Sequence, residues 1–323
     1  MKKKLRFAAV LFLLAANVFA APSWVTDQGR RKVFPESEYI SALGTAFNEE
    51  AAKNKAASAI SEYIKTEVSS STKSRYSESE KAGNVTEESF LEEEVSLISN
   101  SDLYALEYTE VWKEEESGRF YCVAFIEKAS AWKIVRQKME KISLEISSLF
   151  EGAEEDRSGF WKTLSYGEIV SYEKEFYSLF DFANMVTKSG LADFTPSVEN
   201  IQTSKNILLK SKTSEKIFLK VQNDKNGTVY RALAAYFEAN GFTVSSERGK
   251  YICNALVTVE VRDDKSSFVA YPGLTLTVTD VFGSQIASYN ATAKKTVGFN
   301  KDSTIEKSYR TLESTCERID WIK

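Results

Sequence analysis

Histidine is absent from this chain of 323 residues. Histidine is the usual general base of nucleophilic enzymes and the commonest protein ligand of transition metals. Its absence therefore excludes Ser-His-Asp and Cys-His nucleophiles, histidine acid–base chemistry and the usual catalytic zinc sites. The sequence predicts no catalytic residues, no cofactor and no metal site, and hence a protein that is not an enzyme.

Cysteine is scarce, with only Cys122, Cys253 and Cys316 in the whole chain. Small disulfide-stabilised domains need denser and even sets of cysteines. Cys122 lies in a strand-like run and Cys316 on the apolar stripe of the last predicted helix, so we expect both to be buried core residues. Cys253 could form a disulfide with either one, and the sequence does not decide between these states.

An excess of positive charge is also lacking, as are glycine loops that could cradle a phosphate. The chain has 42 basic and 46 acidic residues, a net charge of −4. Without residues 1–20 it has 38 basic residues against 46 acidic ones, a net charge of about −8 by the same counting. Such an acidic protein is unsuited to nucleic acid or to anionic lipid headgroups as its main partner.

The first twenty residues have the pattern of a secretory signal peptide. Met1–Arg6 is basic, Phe7–Ala16 is apolar, and small side chains at Val18 and Ala20 fit a signal peptidase site after Ala20. The apolar run is shorter than the roughly 20 residues that cross a bilayer. Because Ala21 follows, no cysteine is present there for lipid attachment. We expect an exported protein, periplasmic or associated with the outer membrane, with no transmembrane span in the mature chain.

The remaining chain predicts an α+β fold in three parts. A small α/β domain is expected over residues 21–127, an antiparallel helical hairpin over 128–190, and an α/β domain with a mainly antiparallel sheet over 213–323. In the first part, Glu38–Gly44 reads as a strand and Asn48 as the cap of a helix extending to about Glu67. Two further strands, Leu103–Val111 and Arg119–Glu127, flank a turn in which Gly118 supplies a positive φ.

The central part shows apolar residues at helical spacing on two successive segments. Ser165–Glu168 fits a capping box that would begin the second helix, and Gly190 would end it. Six aromatic residues exceed what a two-helix seam can bury. Since aromatic residues are enriched at interface centres, we expect residues 150–186 to include a partner-binding surface. Its candidate residues are Phe160, Trp161, Tyr166, Tyr177, Phe180 and Phe182.

The C-terminal part shows strands with clean alternation and two helices. Thr228 is expected to begin a helix that Asn240 and Gly241 end. Alternation around Val257–Val261 and Leu274–Thr279 indicates an antiparallel sheet with one face in water. Ser303 is expected to cap a final helix that covers the dry face.

The first part resembles the LPP-twenty family of bacterial envelope lipoproteins and the N-terminal domain of flagellar assembly protein T. The matching elements are Pro22–Trp24, the Tyr39–Gly44 strand with Ala46, the alanine-rich helix Glu49–Ile64, Glu110–Trp112, Gly118, and Phe120–Ala124. The resemblance implies a compact α/β module in the periplasm or at the outer membrane, without catalytic residues. The third part is similar to the small α/β domain of TolB and the middle domain of flagellar assembly protein T.

Three functions are open at this point. The favoured one is a non-catalytic envelope protein with a structural, assembly or interaction role, whose partners are other envelope proteins, including flagellar or outer-membrane components. The second is a periplasmic protein that binds a glycan or small ligand through aromatic rings. The third is a cell-wall hydrolase using Ser70 or a carboxylate pair. We regard the Ser-x-x-Lys patterns at Ser70 and Ser130 as chance, since no Lys-Thr-Gly follows either one.

Overall fold

The structure is a computed structural model that describes residues 21–79, 105–211 and 214–322. The predicted signal peptide and the predicted strand start at Leu103 lie outside these residues. The fold is mixed α/β with two sheets and a helical middle, as expected. The chain folds into two compact units. The N-terminal unit contains residues up to 142 and residues 174–195, and the C-terminal unit contains residues 143–173 and 196–323.

The strands of the N-terminal unit are β1 (Tyr39–Ala46), β2 (Leu106–Tyr108), β3 (Trp112–Glu114) and β4 (Arg119–Glu127). The longest pairing of their sheet is between β1 and β4, which are antiparallel, from Tyr39 opposite Glu127 to Ala46 opposite Phe120. Strands β2 and β3 both pair with β4 on its other edge. The predicted turn is confirmed, because Gly118 has φ +65° between β3 and β4. The predicted bounds of the strand before it are wrong, since the strand that enters the turn begins at Trp112, after Val111.

After a short helix α1 (Asp27–Val33), a long helix α2 (Glu49–Ser79) packs on this sheet. Asn48 caps α2 as predicted, accepting a hydrogen bond from the Ala51 N–H at 2.8 Å. The expected end near Glu67 is wrong. No glycine or proline interrupts residues 49–79, and serine is only a moderately poor helix former, so the helix continues through the serine-rich stretch.

The first helix of the helical middle is confirmed, but two helices follow it where the sequence predicted one. Helix α3 (Lys128–Glu155) is followed by α4 (Gly159–Ser171) and α5 (Glu173–Val186). The capping box at Ser165–Glu168 is wrong, because Ser165 lies inside α4 and the extended residue before the helix is Ser158. Phe160 and Leu164, five residues and one residue before Ser165, are both buried, and their burial extends the helix towards its N-terminus. Gly190, with φ +90°, lies beyond the end of α5 rather than at it.

The strands of the C-terminal unit are β5 (Lys216–Gln222), β6 (Thr243–Ser245), β7 (Tyr251–Asp263), β8 (Phe268–Asp280), β9 (Gln285–Thr292) and β10 (Thr296–Gly298). They form one sheet in the order β10-β8-β7-β5-β6, with β9 also paired to β8. The pairs β5–β6 and β5–β7 are parallel and the others are antiparallel, so the sheet is mainly antiparallel as expected. Helix α6 (Thr195–Ser211) precedes it.

Helices α7 (Thr228–Ala239) and α8 (Lys301–Cys316) complete this unit, and residues of both lie in its core. The predicted end of α7 is confirmed at Asn240, followed by Gly241 with φ +87°. The predicted cap of α8 is wrong. Asn300, not Ser303, accepts the free N–H groups, because its backbone is extended and its Oδ1 lies 2.9 Å from the Asp302 nitrogen. Within the described residues, no helix has the length and apolar character needed to cross a membrane.

All three cysteines are buried free thiols. Burial raises the pKa of the Cys253 thiol to about 12, and the nearby Cys316 adds to this shift. Burial likewise raises the pKa of Cys316 to about 12 and raises that of Cys122. Because the thiolate is the nucleophile, these thiols should be almost unreactive in the folded protein.

We therefore predict that an aromatic disulfide reagent at pH 8 reacts with the folded protein more than about a hundredfold more slowly than with free cysteine. The same protein in denaturant, without reductant, should titrate as three thiols. Titration of only one thiol in denaturant would show that two of the cysteines are joined, the alternative that the sequence left open for Cys253.

A candidate binding groove in the C-terminal unit

Four of the six aromatic residues expected at a partner-binding surface are core residues. Phe160, Tyr166, Tyr177 and Phe182 are all buried, so the expectation that they are exposed is wrong. A buried ring has no surface to offer a partner. Trp161 and Phe180 are half-buried, and only these two retain accessible surface.

Phe160 fixes the beginning of α4 in the core of the C-terminal unit. Its ring centroid lies 5.2 Å from that of Phe242, 5.4 Å from that of Tyr251 and 5.8 Å from that of Trp321. The last two contacts are edge-to-face, an arrangement favoured by aromatic quadrupoles. The surplus aromatics of the helical middle are therefore explained in part by packing on the C-terminal sheet and helices.

A partly buried polar cluster lies at the same end of α4. The Glu215 carboxylate accepts hydrogen bonds from Lys250 Nζ at 2.7 Å and from the Tyr251 hydroxyl at 2.8 Å. A Cβ atom on Gly159 would lie 2.8 Å from Lys250 Nζ and 2.9 Å from the Tyr251 oxygen, so the helix can start there only with glycine or a displaced cluster. Burial, and then the Glu215 carboxylate, raise the pKa of Tyr251. Nothing in the sequence pattern marks Glu215, because its partners are 35 and 36 residues away.

Tyr166 lies on α4 and contacts α3 within the same unit. Its hydroxyl donates to Glu154 Oε1 at 2.5 Å, and its ring meets that of Phe150 at 6.0 Å. Burial first, and then the carboxylate partner, raise the pKa of Tyr166. The hydroxyl therefore stays protonated and serves as a hydrogen-bond donor that joins α4 to α3.

An open groove of about 1070 Å³ lies beside α4, entirely within the C-terminal unit. One face of α4 forms one wall, α7 forms a second, and the end of α8 with residues 317–321 forms a third. The two walls α4 and α7 meet at Gly167, where an added Cβ would lie 2.7 Å from the Asn240 Cα. The apolar lining consists of Trp161, Leu164, Ala232, Ala235, Tyr236, Ala239, Cys316, Ile319 and Trp321.

Tyr236 and Trp321 are held rigidly in this lining. Trp321 Nε1 donates to the Tyr236 hydroxyl at 2.8 Å. The Trp321 ring also lies 6.0 Å from that of Phe237 and 6.4 Å from that of Tyr289. Burial raises the pKa of Tyr236 to about 12. These two side chains therefore act as fixed, neutral parts of the lining near neutral pH.

The groove rim carries more negative than positive charge. Its ionisable residues are Glu168, Arg231, Glu313, Glu317, Arg318 and Asp320, all of them exposed. The pKa of Glu168 is raised, chiefly by loss of surrounding water and further by Glu145 and Asp320, while Arg318 acts in the opposite direction. The excess of negative charge at the rim follows from its charged side chains, which are four carboxylates and two guanidinium groups.

The other candidate chemistry is not assembled into a comparable site. Ser130 donates its hydroxyl to Glu127 Oε2 at 2.5 Å, and Ser70 lies exposed on α2. Among the described residues, no group of three or more cysteines, aspartates or glutamates could hold a metal ion. The absence of enzymatic activity stays a prediction, to be tested directly.

These elements define a mixed α/β protein with two sheets and one large open groove described in its C-terminal unit. Residues 22–127 match the family model of the LPP20 lipoprotein, which confirms the resemblance seen in the strand–helix pattern of that region. The matched region is about a third of the chain. The weaker likenesses to flagellar assembly protein T and to TolB stay predictions. No curated protein is a significant match to this chain.

Several solved structures are similar to this chain at low sequence identity. A minor lipoprotein of Acinetobacter baumannii is 16% identical, with a TM-score of 0.28, over 35% of this chain and 98% of that one. A secreted protein of Helicobacter pylori is 13% identical, with a TM-score of 0.35, over 86% and 96%. PelC of Paraburkholderia phytofirmans, a dodecamer, is 14% identical, with a TM-score of 0.22, over 32% and 87%.

The LPP20 match supports an exported protein of the bacterial envelope. It names no ligand, partner or reaction for the matched region.

Proposed function

We propose that this protein is a non-catalytic binding protein of the bacterial envelope, and that its groove holds a segment of another envelope protein. The observation that carries this proposal is an open groove of about 1070 Å³ with an apolar lining and a charged rim. Pockets for small molecules usually enclose about 300–1,000 Å³ and bury most of the ligand. The volume of this groove lies at the upper end of that range, and its open shape with an apolar lining suits a peptide segment that lays an apolar face into it.

The α7 wall is suited to close approach by another backbone. Ala232, Ala235 and Ala239 lie along one face of the helix and end at Cβ. Short side chains leave room for an incoming helix or extended segment to pack against the wall. The fixed Tyr236 and Trp321 side chains supply larger apolar surfaces beside this alanine wall, and rigid aromatic residues are frequent centres of binding energy.

Glycan binding is the second candidate, because Trp161, Tyr236 and Trp321 could stack on sugar rings. The packing of Trp321 argues against this role. Its ring is in contact with the rings of Phe160, Phe237 and Tyr289, which restricts the face available to a sugar. The peptide-binding proposal needs only the exposed edge of such a ring and is therefore favoured.

The proposal predicts a position-specific cross-link in living cells. A photoreactive phenylalanine analogue at Ala235, which lines the groove, should form an adduct with a discrete partner protein. The same analogue at Glu238, which is exposed on α7 outside the groove lining, is the matched control and should form little adduct. An Ala239→Trp substitution, which fills the groove from the same wall, should remove the Ala235 adduct.

Adducts of equal yield at the two positions, or none at either, would contradict the proposed function. Stabilisation by purified cell-wall fragments in a thermal-shift assay, lost in the Ala239→Trp variant, would favour the glycan alternative instead. Both experiments use the exported full-length chain, and neither requires that the partner be identified first.

A further inference from the structure

We infer that the groove selects a cationic amphipathic segment, with lysine or arginine residues beside an apolar face. This inference rests on the proposed function and adds the chemistry of the occupant. Its starting point is the imbalance at the rim, where Glu168, Glu313, Glu317 and Asp320 face only two guanidinium groups.

The four carboxylates are available to an incoming partner. All four are exposed, and within the described residues none of them forms an ion pair. By contrast, the buried carboxylates of the same unit are paired: Glu215 with Lys250 at 2.7 Å and Glu173 with Lys205 at 2.6 Å. Acidic groups that stabilise this unit thus have their cations in place, whereas those of the rim do not.

The spacing of two rim carboxylates further defines the occupant. Glu313 lies on α8, and Glu317 directly follows the last residue of this helix with a helical backbone conformation. The two residues are four positions apart and therefore lie on the same face. Side chains at this spacing lie about 5–6 Å apart at Cβ. Two cationic residues at i and i+4 of a partner helix have the same spacing and could pair with both carboxylates at once.

Charge would act here on selectivity and association rate, while the apolar lining supplies most of the affinity. A single exposed ion pair contributes only about 0–1 kcal/mol. Several pairs at one rim add to this and steer a cationic segment towards the groove. Anionic segments, nucleic acids and carboxylate-bearing wall fragments would meet like charge instead. The preference should weaken in salt, because the screening length is about 8 Å at physiological ionic strength.

The test compares two fluorescent peptides of equal length and with the same leucine face. One carries lysine at its polar positions and the other carries glutamate. We expect the purified protein to bind the lysine peptide at least about tenfold more tightly, which corresponds to about 1.4 kcal/mol. Binding is measured by fluorescence anisotropy at low salt and again at high salt.

A charge-reversed groove supplies the second arm. The double variant Glu313→Lys with Glu317→Lys should weaken binding of the lysine peptide at least about tenfold, because two pairs become repulsive. The matched control is Glu199→Lys with Glu247→Lys, which changes the net charge equally at exposed positions outside the groove. Its effect should stay below about threefold, since surface charges away from the groove are screened.

Equal binding of the two peptides, or an equal loss in the two double variants, would overturn the inference. If binding shows no charge preference but is abolished by Ala235→Trp, the groove is a protein-binding site and only the inferred charge selectivity fails. If neither peptide binds, the segment cross-linked at Ala235 in cells is sequenced by mass spectrometry. A cationic segment there supports the inference, an acidic one overturns it, and the absence of any cross-link overturns the proposed function as well.

Discussion

Replacing Phe160 by alanine is expected to lower the free energy of unfolding of the C-terminal unit by about 3–5 kcal/mol, the range measured for fully buried phenylalanines. The Phe160 side chain is fully buried among the rings of Phe242, Tyr251 and Trp321. The truncation leaves a cavity between α4 and the sheet, and it also removes four aromatic contacts, the fourth being with the Trp161 ring at 5.6 Å. Urea unfolding, followed by hydrogen exchange of β7 peptides, measures the change in the unit concerned.

The matched control for this prediction is Phe282→Ala. Phe282 lies in the turn between β8 and β9 with 91% of its surface exposed, so the same chemical change removes almost no buried area. We expect an effect within about 0.5 kcal/mol, as for most surface substitutions. If Phe160→Ala were as mild as Phe282→Ala, the placement of α4 on the C-terminal core would be wrong, and the groove beside it would have to be redefined.

Replacing Gly44 by alanine is expected to cost about 3 kcal/mol or more in the N-terminal unit, at the upper end of the cost of overpacking. A Cβ atom at this position of β1 would lie 2.0 Å from the Ala52 carbonyl oxygen and 2.5 Å from the Ala56 nitrogen. Both are backbone atoms of α2, so no side-chain rotation relieves the clash. The helix would have to move away from the sheet, and hydrogen exchange of α2 and β1 peptides would report this.

The control is Gly152→Ala, for which we expect a change in stability of the opposite sign. No atom lies within 4 Å of the Cβ position at Gly152, which is exposed near the end of α3. Alanine in a helix is favoured over glycine by about 0.5–1 kcal/mol, so this variant should be slightly more stable. Two Gly→Ala variants with the same sign and size would contradict the close approach of α2 to β1.

Several elements of the N-terminal unit could be predicted from sequence because the patterns that mark them are local. The stripe of Ala52, Ala56 and Ile60 and the glycine at position 44 indicate a helix lying close to a strand, and all three stripe residues are buried. The turn at Gly118 is equally local, since a two-strand connection fixes the sign of φ. The full length of α2 does not follow from the sequence pattern, because serine weakly disfavours a helix without ending it.

Local sequence patterns could not predict the groove. Its walls come from residues 161–172, 231–240 and 313–321, and no periodicity within one segment reports its distance to the others. The same holds for Glu215, whose partners Lys250 and Tyr251 are reached only through the pairing of β5 with β7. The rim carboxylates read as ordinary helix-surface charges until the fold places them around one opening.

The amino-acid sequence by itself indicated many of the helices and strands, their apolar faces, and the chemistries excluded by the lack of histidine, whereas several helix bounds and helix α6 did not follow from it. Only the tertiary structure decided which aromatic residues of the helical middle are buried and which charges surround the groove. The physical reason is that periodicity records how apolar a face is, whereas burial depends on what that face meets. For α4, which is apolar on most sides, the sequence could not distinguish a core-facing Phe160 from a partner-facing one.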